Sequence, residues 1–330
     1  MPTKRINWID WSKAIAIYLV VLGHLVSDKG SEGMLHNFIY AFHMPFFFFI
    51  SGYLFRIKED NLKDLLKRIW KSLILPYICL NLISDIFLAP TWYLSRTWPV
   101  KELFLFLTAD GHGEPGPTWF LICLAWVWIA AWYLLRLPRK YQYTILIGCA
   151  IVAYYFPYQL YWRIDTAAMV LPFFMVGNYC KGKKIVQSGG GTSRVLVFLL
   201  LLALTIGFVY MNGYTCCYPR TFGNYPLLYY PEAFTGIAML IAFSQLLDNI
   251  TCRFLRVLST GTIVIMGLGG ITSLYLKTIL KHVGVSISFD LMEKVVFSLI
   301  VVIALYYPIL WLHRYFPQAM GNRSVHGTNQ

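Results

Sequence analysis

Residues 8–26 read WIDWSKAIAIYLVVLGHLV, an apolar run with Asp10 and Lys13 near its start and His24 near its end. A helix needs about 20 largely apolar residues to cross a bilayer, and this run supplies them. It carries charges where a signal peptide has its apolar core and has no small-residue cleavage site, so it is read as a retained membrane helix. Nine further stretches meet the same test: 34–55, 70–89, 118–137, 143–158, 165–180, 195–211, 231–247, 260–280 and 291–315. The expected fold class is therefore all-α, a polytopic membrane protein of about ten transmembrane helices. The fifth and sixth are short and carry Pro157 and Pro172, so they are expected to be tilted, broken or re-entrant.

Composition agrees with this reading. Of 330 residues, 58% are hydrophobic, 17% aromatic and 13% charged, against about 45–50% apolar and about 25% charged in soluble domains. One water-soluble core cannot hide so much apolar surface, and the abundant aromatic residues exclude a disordered chain. The net charge of +13 would point to nucleic acid in a soluble protein. Here it follows the loops: with the N-terminus inside, roughly 19 of the 28 Lys and Arg fall on inner segments and roughly seven on outer ones, which places both termini in the cytoplasm. Lys13 and Lys277 remain within spans. The charge labels topology, and no nucleic-acid partner is expected.

The connections are short. Residues 56–71 form a basic surface segment in which Leu62, Leu65, Leu66 and Ile69 recur at helical spacing, as in an amphipathic helix resting on headgroups. Residues 90–117 make the longest outer connection, with a partly embedded turn of helix at 102–108. The SGGGTS of 188–193 lacks a phosphate-loop Lys and reads as a flexible linker. Seven cysteines show no metal-ligand spacing. Only Cys216 and Cys217 fall in a polar stretch, where they read as small loop residues rather than a redox pair. The chain is expected to be a single integral-membrane domain over 1–330, with a flexible tail at 317–330.

Ionisable groups inside lipid are costly and usually functional. Lys13 and His24 are eleven residues apart, three turns plus about 20°, so they share a stripe at a separation of about 16 Å. Asp10 falls on the same stripe and can pair with Lys13, and the two also suit a snorkelling anchor at the helix end. The second span contains Phe42-His43-Met44-Pro45, followed by Phe46 to Phe49 and then Ile50-Ser51-Gly52-Tyr53. Running from outside to inside, it places His43 at a depth His24 can share. Pro45 removes a helix hydrogen bond and is expected to kink the chain and open a carbonyl there. The four Phe residues are expected to be lipid-facing and packing surface.

IDWSKAIAIYLVVLGH, then FHMPFFFFISGYLF, then Trp119-Phe120-Leu121 opening a helix, then Leu171-Pro172-Phe173-Phe174 with Gly177 together resemble the integral-membrane acyltransferase-3 family, especially its fucose 4-O-acetylase-like branch. The resemblance implies a membrane O-acyltransferase of ten helices. Such an enzyme takes an acyl group, most often acetyl from acetyl-CoA as co-substrate, and places it on a hydroxyl of a cell-envelope carbohydrate or similar acceptor; no metal is implied. Lys13 stands where the family often has Arg, exchanging a bidentate fork for a point charge. Gly269 stands where many members of the branch have a histidine.

A sugar hydroxyl is a poor nucleophile at neutral pH, and a positioned imidazole that takes its proton contributes roughly 10²–10⁴-fold. The expected catalytic residues are His24 as base, His43 orienting the acceptor, and Lys13, held by Asp10, facing CoA or the developing oxyanion. Arg68 and Arg136 are candidates for CoA binding. The expected partners are acyl-CoA, a glycan or lipid-linked sugar and the bilayer of the cell (inner or plasma) membrane. The competing reading is a transporter or flippase of a lipid-linked sugar. It has the span count in its favour, and against it the lack of a matching pair of interrupted helices.

Overall fold

The computed structural model describes residues 6–109, 117–183, 185, 191–284 and 290–321. Fourteen α-helices account for most of them: α1 (Asn7–Gly23), α2 (Gly33–Leu54), α3 (Leu62–Ile69), α4 (Leu75–Ser95), α5 (Val100–Thr108), α6 (Trp119–Leu134) and α7 (Arg139–Tyr155), then α8 (Ile164–Tyr179), α9 (Gly191–Asn212), α10 (Tyr229–Leu246), α11 (Arg253–Thr260), α12 (Thr262–His282), α13 (Leu291–Ala304) and α14 (Tyr306–Tyr315). A two-stranded antiparallel hairpin, β1 (Thr215–Cys216) and β2 (Thr221–Phe222), lies between α9 and α10. Among the described residues, six helical rods are long and apolar enough to cross a membrane: Gly30–Leu54, Leu62–Ser95, Gly191–Asn212, Pro226–Leu246, Thr262–His282 and Leu291–Tyr315. The helices α1, α6, α7 and α8 have 16 or 17 residues each, about 25 Å of rise, and stand where the other apolar stretches were expected. The protein is an all-α polytopic membrane protein, apart from its small hairpin.

Several boundaries differ from the sequence reading, for local reasons. The amphipathic segment at 56–71 is not a separate surface helix. A π-helical turn, Trp70–Ile74, joins α3 directly to α4, and Pro76, which has no N–H to give to that continuous ladder, follows it. Helix α4 then continues through Pro90 to Ser95, which shortens the connection expected at 90–117; the expected turn at 102–108 is α5. Gly191, Thr192 and Ser193 open α9 rather than forming a linker, while 188–190 lie outside the described residues. Helix α7 stops at Tyr155, before Pro157, and α8 runs intact through Pro172. At the other end Met320 is buried, so packed chain extends into the expected tail, whose residues 322–330 lie outside the described part.

Helix α2 is the axis of the bundle, packed along α8 and flanked by α1 and α10. The α2–α8 contact is a backbone contact. A Cβ on Gly52 would stand 1.8 Å from the Phe174 carbonyl oxygen, and one on Gly177 would stand 2.0 Å from that of Phe49. Without a hydrophobic drive between helices in lipid, such small residues let two helices approach and gain dispersion contact. Asn178 fastens the seam by donating from Nδ2 to the Gly52 and Phe55 carbonyls at 3.1 and 3.2 Å. Phe46, Phe47, Phe48 and Phe49 are all buried in the protein. Only the packing half of their expected role holds: the central position of α2 gives their side chains protein neighbours on every side, and none faces lipid. Pro45 does not interrupt α2.

Candidate active site

A cavity of about 530 Å³ opens between α1, α2, α12 and the α9–α10 connection. His24, at the end of α1, and His43, midway along α2, both line it. Glycine at position 23 brings them together. A Cβ there would meet Ile39 at 3.1 Å and the Tyr40 ring at 3.3 Å, so its absence lets α2 press against the last turn of α1.

The two imidazoles differ in setting. His43 is buried, and its Nδ1 lies 2.7 Å from the Ile39 carbonyl oxygen. A carbonyl only accepts, so in the neutral ring Nδ1 carries the hydrogen and Nε2 keeps its lone pair. His24 is exposed to the cavity. Between them stands Tyr40, edge-on to His24 with ring centroids 6.5 Å apart and edge-on to His43 at 4.9 Å. Tyr40 also stacks on His36 at 4.1 Å and meets Tyr214 at 5.7 Å. His36, Tyr40 and His43 follow the i, i+4, i+7 pattern of one helix face. That spacing was legible in the sequence, and neither His36 nor Tyr40 was singled out from it.

The far wall belongs to the α9–α10 connection, which supplies Tyr214, Cys216, Cys217 and Tyr218. A buried polar network holds this segment. Asn212 donates from Nδ2 to Glu232 at 2.6 Å and to the Phe222 carbonyl at 3.1 Å, while its Oδ1 accepts from the Tyr225 amide at 2.7 Å. Thr215 donates to the second Glu232 oxygen at 3.3 Å. Arg220 pairs with Asp165 at 2.8 Å, and the Arg163 guanidinium lies 4.4 Å over the Tyr218 ring. Tyr218 in turn packs on Trp119, which also lines the cavity. Glu232 was passed over in the sequence, although an acid in an apolar stretch was the available signal. Burial pushes the Cys216 thiol up to about 11, so near neutrality it stays protonated and unreactive, as a wall residue rather than a redox group.

The other expected residues lie elsewhere. Asp10 and Lys13 meet α11 through one residue: Ser259 Oγ donates to Asp10 at 2.6 Å, and Lys13 Nζ donates to the Ser259 carbonyl. Neither lines the cavity. Arg68 and Arg136 converge on Glu59, Arg68 through its carboxylate at 3.1 and 3.2 Å and Arg136 through its carbonyl at 3.1 Å. Each also lies over a tryptophan, Arg68 at 4.7 Å from the Trp128 ring and Arg136 at 3.5 Å from that of Trp132. Gly269 lines the cavity, and a Cβ there would find only Val21, at 3.7 Å. The position is open space rather than a close contact.

The cavity offers one imidazole exposed to it, one buried imidazole with a fixed lone pair, and aromatic faces around them. Such an arrangement can take a proton from a hydroxyl while holding the molecule that bears it. No curated protein and no solved structure matches this chain significantly. A family model does: that of the acyltransferase domain matches residues 6–311, nearly the whole chain, which therefore belongs to the acyltransferase-3 family of membrane acyltransferases.

Proposed function

We propose that this acyltransferase moves acetyl from acetyl-CoA to a hydroxyl of a cell-envelope carbohydrate, in the manner of the fucose 4-O-acetylase-like branch its motifs resemble. The observation that carries the reading is the meeting of His24 and His43, from two helices, on one aromatic-lined cavity. The acceptor oxygen attacks the thioester carbonyl, His24 takes the hydroxyl proton, and the carbon–sulfur bond breaks as the departing sulfur takes that proton from His24, so that CoA leaves as the thiol. His24 suits the base because its imidazolium can be solvated from the cavity, whereas charging the buried His43 would cost desolvation without compensation. His43 stays neutral and accepts a hydrogen bond at Nε2, which orients the acceptor. Lys13 and Asp10 lie about three and four helical turns away along α1 and fix that helix against α11. Arg68 and Arg136 are the basic groups for the donor's phosphates, and Arg68 binds them by releasing the Glu59 carboxylate.

The test is transfer of labelled acetyl by purified protein to an envelope-glycan extract. His24→Gln is expected to lower turnover roughly 10²–10⁴-fold with an unchanged thermal unfolding midpoint in detergent. Turnover within tenfold of the unmodified protein would remove His24 from the role of base. The family places the chain among acyltransferases, and no observation favours the carrier.

A further inference from the structure

The cavity wall contributed by α12 ends in a charge that the proposed reaction does not use. Met266, Gly269, Gly270, Ser273 and Lys277 all line the cavity. Met266, Gly270, Ser273 and Lys277 follow one another at intervals of four, three and four residues, which makes them one stripe of a helix, with Gly269 beside it. Lys277 is half-buried, and its ammonium lies 5.9 Å from the centre of the Phe297 ring, on α13. Lys294, a cation within its electrostatic reach, pairs with Glu32 at 2.6 Å. Among the described residues that line the cavity there is no aspartate or glutamate, although the Asp28 carboxylate lies within electrostatic reach of Tyr40 and Tyr214. The described wall presents two imidazoles, aromatic faces, small residues and the Lys277 ammonium.

We propose that Lys277 reads a negative charge on the acceptor, so that the sugar taken into this cavity carries a carboxylate or phosphate. The inference rests on the cavity being the acceptor site, and it names the acceptor's chemical class. A cation inside a membrane span is expensive and is retained where it lines a pathway or binds. An ammonium in a cavity with apolar walls attracts an anion more strongly than the same group in water. The wall below Lys277 is built of Gly269, Gly270 and Ser273, so the space between the charge and the histidines admits a ring-sized group. Aromatic faces at Tyr40, Tyr214 and Trp119 provide the apolar surface on which such a ring can lie. CoA phosphates are the other source of negative charge, and the experiment separates the two.

The full-length protein in detergent is melted alone and with glucuronate, glucose 1-phosphate, glucose or CoA, each as a probe. Both anionic sugars are expected to raise the unfolding midpoint more than glucose does, as mass action requires of a ligand that binds the folded state. In Lys277→Gln the affinity for the anionic sugars is expected to fall roughly tenfold or more, the scale of one charge-assisted hydrogen bond. Lys277→Arg is expected to keep it. The CoA-induced shift is expected to be equal in the unmodified protein and Lys277→Gln. Equal shifts with glucose and glucuronate, or an anion-specific shift that survives in Lys277→Gln, would overturn the proposal. Loss of the CoA shift in Lys277→Gln would assign the charge to the donor and overturn it as well. Because melting needs no acetyl transfer, anion binding through Lys277 by a protein that moves no acetyl would refute the proposed reaction and leave this site standing.

Discussion

His43 illustrates how one hydrogen bond sets a role. With Nδ1 committed to the Ile39 carbonyl at 2.7 Å, its ring can only accept at Nε2 while neutral, and its burial, which makes the charged ring costly, keeps it from taking the proton of the hydroxyl it holds. His43→Phe keeps an aromatic ring of similar size against Tyr40 and removes that lone pair. Acetyl transfer is expected to fall about 10- to 100-fold, since a hydrogen bond inside a cavity of this kind contributes about 1–3 kcal/mol. The loss is expected in both KM for the acceptor and turnover, with the acetyl-CoA KM unchanged, and steady-state kinetics with each substrate varied separately will show it. A changed acetyl-CoA KM alone would move His43 to the donor side. Asp10 and Lys13 show the opposite outcome at this scale. Their residue types and spacing marked a functional stripe, yet both are engaged with Ser259 at the α1–α11 contact.

At the scale of elements, the glycines of α2 and α8 explain why their motifs read as they do. Gly52 and Gly177 each face the other helix's backbone at distances no Cβ can occupy. Gly177→Ala must therefore push two packed helices apart, at an expected cost of more than about 2 kcal/mol. Measured as the unfolding midpoint in detergent, it should fall well below that of the unmodified protein, and activity should fall with it because α2 carries His43 and Tyr40. A midpoint within a degree would contradict the close approach. The α9–α10 connection works by other means: a buried Asn212–Glu232 contact at 2.6 Å, with a hairpin of two-residue strands, presents Tyr214 and Cys216 to the cavity. Short polar loops carry no periodic signal, and this one did not announce itself.

At the scale of the molecule, the distribution of Lys and Arg predicts the orientation in the membrane. A cysteine at position 63 (Lys63→Cys) is expected to react with an impermeant maleimide only from the cytoplasmic side, and one at position 96 (Arg96→Cys) only from the outside, both in a chain whose exposed Cys252 is replaced by Ser. The reverse pattern would invert the topology, and labelling of both from one side would break the alternation of spans. Apolar length alone located the helices, because a membrane span is a local property of about 20 residues, and the motifs around His24 and His43 pointed to the family for the same reason. Local pattern said nothing about which distant groups share a space. Lys277 was visible only as a charge in a span and Tyr40 as one aromatic among many. Their placement around one cavity was decided by how tightly α1, α2, α8 and α12 could pack, which depends on pairs of residues far apart in the chain.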